Sequence, residues 1–214
     1  MSQVRRGGRP SREASEQLGA LILDAATELF LSHGFGATSI DAVAARVRIS
    51  KRTFYHRFPD KAALFAAVVH RIIERLRPPA NVQLTEGADL RTVLARLATL
   101  ILRAALSSDA IALHRLIVAE SARFPQLARV LSREGSTNEA IALIAGLLER
   151  EARLGRVDVE DAVFAARQFL TMVIALPQRR AMGLGIPMSK RELAAWPGKV
   201  VDLFLNGCRT RRKR

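Results

Sequence analysis

A chain of 214 residues, 49% of them apolar, is long enough to bury the core of one sizeable domain or two small ones. The formal net charge of +14 favours a polyanionic partner, either nucleic acid or an anionic membrane surface. The single cysteine excludes an intrachain disulfide framework and fits a reducing compartment. The sequence has neither a signal-peptide pattern nor a run of about 18 uncharged apolar residues, so we expect a cytoplasmic protein without a membrane span.

The positive charge is concentrated at the two ends of the chain. Residues 1–12 carry four arginines and residues 209–214 carry five basic residues, and neither segment contains an acid. We interpret residues 1–14 as a basic flexible arm and residues 209–214 as a basic tail that adds non-specific affinity for DNA. The segment GGRP, residues 7–10, resembles a minor-groove hook, but basic arms are common and we assign it no groove contact.

The N-terminal part of the chain has helical periodicity. Apolar residues at three- and four-residue spacing from Leu18 to Phe30 predict a first helix, which we expect to end at Gly34. A capping box is predicted at the start of the second helix. In it the Thr38 hydroxyl would accept from the Asp41 amide, and the Asp41 carboxylate would reach back.

The helical pattern continues to the C-terminus, so the predicted fold class is all-α. Ser50 begins a third helix of about eight residues, and Pro59 begins a fourth that ends at residues 78–79. The remaining helices are predicted at about 89–106, 109–123, 137–154, 159–176 and 190–206.

Prolines and one polar segment mark the predicted boundaries. We expect one helix to end near Pro177 and the last helix to be interrupted at Pro197. The polar residues 80–88 are interpreted as a linker. It joins a helix-turn-helix DNA-binding domain at 15–77 to a helical regulatory and dimerisation domain at 85–208.

The stretch SKRTFYHRF, residues 50–58, places basic residues among three aromatics. Two short helices joined by residues 48–50 form a helix-turn-helix, whose second helix can enter a DNA major groove. Because so short a helix is marginal alone, we expect Phe54 and Phe58 to anchor it while its polar side chains face DNA.

The stretch TSIDAVAARVRISKRTFYHRFPDKAAL, residues 38–64, resembles the tetracycline-repressor (TetR) family of bacterial regulators. The similarity in residue type and spacing covers roughly residues 15–70. It implies an all-helical homodimer with DNA-binding heads and a larger C-terminal body that holds an inducer pocket and the dimer interface. The implied function is transcription regulation, as a ligand-responsive repressor that binds a palindromic operator.

The resemblance also implies roles for seven residues at the DNA. Phosphate contacts would come from Thr38, Tyr55 and Lys61. Base edges would be met by Lys51, Arg52 and Thr53, since phosphate contacts position a protein and base contacts specify sequence. His56 fits either role, and Arg57 is expected to be a solvated charge.

Arg48 occupies the turn position where the family usually has glycine. A left-handed backbone there would cost a non-glycine residue roughly 1 kcal/mol. Because β-branched Val47 and Ile49 flank it, we expect a relaxed turn without left-handed backbone, and a solvated Arg48 that does not contact DNA.

The C-terminal body is expected to bury an unknown small-molecule inducer among its helices. Polar residues on otherwise apolar faces are the candidates for binding it: His114, Glu120, Gln168 and Met172. The last two long helices are expected to form a four-helix dimer interface. Its apolar faces carry Val163, Phe169, Leu170, Val173, Val200, Val201, Leu203 and Phe204.

An enzyme and an architectural DNA-binding protein are the two alternative classes. The four histidines are scattered, and the sequence contains no HExxH, GxSxG or phosphate-binding loop, so we predict no enzyme, no cofactor and no metal site. An architectural DNA-binding protein that uses both basic tails and has no inducer stays as the alternative.

Overall fold

The computed structural model describes residues 12–77, 89–127, 129–130 and 137–207. The predicted linker at 80–88, the segment at 7–10, most of the N-terminal arm, Cys208 and the tail lie outside these ranges. Within them the regular structure is helical and no strand occurs, so the all-α prediction is confirmed. The principal helices are α1 (Arg12–Ala37), α2 (Ile40–Arg46), α3 (Lys51–Tyr55), α4 (Lys61–Leu76), α5 (Leu90–Ala105), α6 (Ser108–Glu120), α7 (Thr137–Arg153), α8 (Ala162–Ala181) and α9 (Lys190–Gly207).

The chain divides into two compact units. Unit 1 comprises Met1–Arg71 together with Leu116–Leu131, and unit 2 comprises Ile72–Arg115 together with Ser132–Arg214. The end of α6 and the residues after it therefore belong to the unit that contains α1, α2 and α3.

Unit 1 is organised around an aromatic cluster. Phe30 and Phe35 of α1 stack at 5.6 Å between ring centroids, and Phe65 of α4 meets both edge-on at 5.4 Å. Phe124, which follows α6, adds a fourth ring 5.0 Å from Phe35. Edge-to-face and stacked rings add specific geometry to apolar burial, so this cluster fixes α1 against α4.

Helix α1 is also long and apolar enough, by length and composition alone, to be a candidate membrane span. The bent pair α5 and α6 also passes that test if it is counted as one span. Core helices pass the same test, and α1 fully buries Ile22, Ala26 and Phe30 within the protein. The apolar face of α1 is therefore explained by the core of unit 1.

Unit 2 is built from α5, α7, α8 and α9 around one apolar core. This core contains most of the residues that we expected at a dimer interface: Phe169, Leu170, Val173, Val200, Val201 and Phe204. That assignment is wrong, because these side chains are already buried within one protomer. Of the eight predicted interface residues, Val163 and Leu203 are exposed, by 45% and 65%.

Two prolines lie inside helices rather than at their ends. Helix α8 continues through Pro177 to Ala181, and α9 is continuous through Pro197, so both predicted boundaries are wrong. Pro177 has no N–H for the carbonyl of Val173, four residues earlier in the helix. The indole Nε1 of Trp196 donates to that carbonyl at 2.9 Å, so a side chain of α9 replaces the missing backbone bond.

Candidate nucleic-acid interface

Helix α2 begins one residue later than the predicted capping box. Ser39 is the N-cap, and its hydroxyl accepts from the Ala42 amide at 3.0 Å. Thr38 is only 3% exposed, and its hydroxyl donates to the carbonyls of Gly34 at 2.8 Å and Leu29 at 3.0 Å. The predicted capping box is therefore wrong, and Thr38 instead ties α2 to the end of α1.

The turn between α2 and α3 has a left-handed residue. Arg48 has φ 56°, which corrects the expectation of a relaxed turn. Its amide donates to the Ala45 carbonyl at 3.1 Å, and the Ile49 amide donates to the Ala44 carbonyl at 3.0 Å. This pair of bonds is a Schellman motif, which satisfies two carbonyls at a helix end but requires left-handed backbone at Arg48.

Helix α3 is short and is held by one buried ring. Ser50 is its N-cap and accepts from the Thr53 amide at 3.1 Å, while the Phe54 side chain is fully buried. Phe58 follows the helix and lies 5.7 Å from the Phe54 ring. The other side of α3 faces solvent, and its exposed residues are Lys51, Arg52, Thr53, Tyr55 and His56. Five of the seven predicted DNA-contacting residues therefore share one exposed surface.

Lys51 is paired within the protein. Its ammonium lies 2.8 Å from the Asp41 carboxylate of α2. The hydrogen bond and charge of Asp41 raise the pKa of Lys51, which favours the charged ammonium. A DNA contact by Lys51 would have to replace this ion pair.

Arg57 anchors α3 to α1, whereas the sequence predicts a solvated charge. Its guanidinium donates to the Ser15 carbonyl at 2.5 Å and to the Ser15 hydroxyl at 2.6 Å. A Cβ at Gly19 would lie 2.5 Å from a guanidinium nitrogen of Arg57, so glycine leaves the space that Arg57 occupies. In the sequence, the only indication of this contact is Gly19 among the apolar residues of α1.

Lys61, at the start of α4, is engaged with the end of α1. Its ammonium donates to the carbonyls of Phe35 at 2.9 Å, Thr38 at 3.0 Å and Gly36 at 3.3 Å. The same ammonium lies 4.6 Å from the centroid of the Phe35 ring. Because an ammonium has three donors, these bonds use its full capacity.

Comparison with known proteins gives the chain its family. Residues 22–68 match the model of bacterial regulatory proteins of the tetR family, and residues 92–207 match that of the AefR-like transcriptional repressor C-terminal domain. The chain belongs to the TetR family. It is a helix-turn-helix transcriptional regulator, and DNA binding is the common property of this family.

Individual TetR-family relatives resemble the chain to similar degrees. An uncharacterized HTH-type transcriptional regulator of Mycobacterium tuberculosis is 32% identical over 136 residues, which cover 64% of this chain and 63% of the relative. The chain thus spans slightly less than two thirds of that relative's length. The structure of the flavonoid-responsive regulator FrrA is 32% identical with a TM-score of 0.76, covering 92% of this chain and 99% of FrrA. A TetR-family structure from Mesorhizobium loti is 29% identical with a TM-score of 0.73, covering 94% and 100%.

The four candidate inducer-binding residues of this TetR-family chain are divided between the two units. His114 and Met172 are half-buried and belong to unit 2, where Met172 packs against the core. Gln168 is exposed on α8. Glu120 belongs to unit 1, where its carboxylate accepts from the Gly36 amide at 2.8 Å.

Proposed function

We propose that the chain is a ligand-responsive repressor that binds a palindromic operator as a homodimer. The observation that carries this proposal is the exposed surface of α3, which we call the α3 surface: Lys51, Arg52, Thr53, Tyr55 and His56. A short helix with its apolar side buried and its polar side free is suited to a major groove. Residues 15–77 would supply the DNA-binding domain, and residues 85–208 the regulatory and dimerisation domain.

The residues of the α3 surface differ in the DNA groups that their side chains suit. Arg52 and His56 are exposed and suited to base edges, and an arginine fork fits guanine best. The Thr53 hydroxyl lies 2.9 Å from the Ser50 hydroxyl and can share this hydrogen bond with a base edge. Tyr55, 49% exposed, offers its hydroxyl to phosphate. Lys51 would join after leaving Asp41, at some cost in affinity.

Thr38 and Lys61 are less suited to the phosphate contacts that the family resemblance implies. The Thr38 hydroxyl is buried and donates to α1, and the Lys61 ammonium donates to three carbonyls. Each side chain would have to break existing bonds to reach DNA. We therefore propose a supporting role for both, in fixing α2 and α4 against α1.

Dimerisation is proposed through the exposed apolar residues of α8 and α9. Phe164 is 59% exposed and Leu203 is 65% exposed, each on a helix whose opposite side is in the core. Pairing two such surfaces would form a four-helix interface. Two linked heads are needed because the half-sites of a palindrome lie about 34 Å apart along the DNA.

The proposed inducer is a small molecule that binds unit 2. The match of residues 92–207 to a repressor C-terminal domain and the similarity to FrrA, a flavonoid-responsive regulator, support this part. His114 and Met172 are the half-buried candidates that remain for contact with it. Glu120 and Gln168 are less suited, because the first is bound to Gly36 and the second faces solvent.

A footprinting experiment tests the proposal against its alternative. Protection of one palindromic site by the purified protein, released by a compound found through screening, is the expected result. Uniform protection of any duplex would favour an architectural DNA-binding protein. Catalytic turnover is not expected, and a substrate screen in the absence of DNA checks that expectation.

A further inference from the structure

Arginine occupies a backbone position in the α2–α3 turn that this chain elsewhere fills with glycine. The ends of α7 and α8 have the same pair of Schellman bonds, and the left-handed residues there are Gly155, with φ 67°, and Gly183, with φ 91°. The equivalent residue after α2 is Arg48, with φ 56°. Glycine would adopt this conformation without strain, so the arginine side chain is the feature that needs a reason.

The interior of the protein supplies no such reason. Arg48 is exposed, and within the described residues its guanidinium has no hydrogen bond or ion pair. Two neighbouring cations are paired: Arg46 binds Glu28 at 2.6 and 2.8 Å, and Lys51 binds Asp41 at 2.8 Å. The strained residue is thus a cation left free beside cations that are paired.

We propose that Arg48 contacts a DNA phosphate beside the half-site that the α3 surface meets. The inference rests on the proposed function, since it requires DNA against α3. Arg48 lies on the turn, three residues before α3 begins, so its place is beside the groove-entering helix rather than on it. A guanidinium presents a planar fork of donors that matches two phosphate oxygens. The left-handed backbone would then fix the direction in which this side chain leaves the turn.

Three variants separate the effect of the charge at position 48 from the effects of its backbone conformation and of the net charge of the protein. Arg48→Gly removes both the charge and the strain, and Arg48→Lys keeps a charge at the same backbone position. Arg103→Ala removes one exposed charge from α5 and serves as the control. Affinity is measured between about 50 and 200 mM salt for two duplexes, one selected by the wild-type protein from a random pool and one of random sequence.

The expected result is a lower salt dependence for Arg48→Gly on both duplexes. Loss of one phosphate contact makes the slope of log affinity against log salt less steep by about 0.9. The ratio of wild-type affinity to Arg48→Gly affinity should therefore fall about three-fold between about 50 and 200 mM salt. Arg48→Lys should recover most of the slope, and Arg103→Ala should leave it unchanged. The melting temperature of Arg48→Gly should equal or exceed that of the wild type, which excludes unfolding as the cause.

Two results would overturn the inference. An unchanged slope for Arg48→Gly would mean that Arg48 makes no phosphate contact, and a loss confined to the selected duplex would mean that it reads a base. A wild-type protein that enriches no duplex from the random pool would instead refute the proposed function on which the inference rests.

Discussion

Arg52 offers the clearest test of base recognition by a single residue. It is exposed on α3, and within the described residues it has no ion pair, unlike its neighbour Lys51. We expect Arg52→Ala to lose about 1–3 kcal/mol at the operator, because a bidentate contact with a base is removed. Titration of operator and random duplexes by fluorescence anisotropy measures both the loss and the specificity ratio.

Lys51→Ala is the matched comparison for Arg52→Ala. Its loss should be smaller, since Lys51 must give up Asp41 before it meets DNA. Equal losses on operator and random DNA for Arg52→Ala would show a phosphate contact and contradict its role in reading bases.

At the residue scale, the exposed side of α3 could be predicted from the sequence, but the partners of individual side chains could not. The polar side of α3 follows from helical spacing around Phe54, and it is exposed as expected. The partner of Arg57 is Ser15, 42 residues away on α1. The partners of Lys61 lie at most 26 residues away, at the end of α1 and in the turn after it. Local patterns carry no information about such contacts, since they depend on how helices pack in space.

At the scale of elements, the bond between Trp196 and Val173 is predicted to hold α8 and α9 together. The Val173 side chain is fully buried, and Pro177 cannot donate to the Val173 carbonyl. Replacement of Trp196 by Phe should therefore destabilise the protein by about 1–3 kcal/mol beyond any loss of packing. Urea denaturation followed by circular dichroism measures the change in free energy of unfolding.

A second substitution isolates the hydrogen bond from the packing of the indole. Pro177→Ala restores a backbone N–H that can donate to Val173, so it should recover part of the loss in the Trp196→Phe background. If Pro177→Ala has the same effect with Trp196 and with Phe at position 196, the two residues are not coupled through this carbonyl.

The existence of the helices was predictable, but several of their boundaries were not. Apolar residues at three- and four-residue spacing predict α5 and α7 to within a few residues, because each helix has one buried face. Pro177 predicts a helix break, since a sequence does not show a donor supplied from another helix. Pro197 predicts a break as well, but α9 is continuous through it. In the turn at Arg48, two backbone hydrogen bonds outweighed the preferences of Val47 and Ile49.

At the scale of the whole molecule, Leu203→Glu tests the proposed dimer. Leu203 is 65% exposed in the protomer, so a charge there should leave the fold intact and disrupt an apolar interface. We expect monomers in sedimentation velocity, together with loss of operator binding. Leu154→Glu is the control, because Leu154 is 57% exposed and follows α7.

An intact Leu203→Glu dimer would place the interface elsewhere. Val173 and Phe204 are unsuitable for this test, because a charge at either position would disrupt the core of the protomer. Sequence periodicity could not separate the two sides of α8 and α9, since a core side and an interface side are both apolar.

Selection of genomic fragments bound by the purified protein tests the central claim most directly, that the α3 surface recognises one operator. The wild type should enrich a single palindromic sequence, and a variant with Arg52→Ala, Thr53→Ala and His56→Ala should lose that enrichment while keeping its fold and its dimer. Uniform recovery of fragments by the wild type, or the same enriched palindrome with the triple variant, would contradict the account.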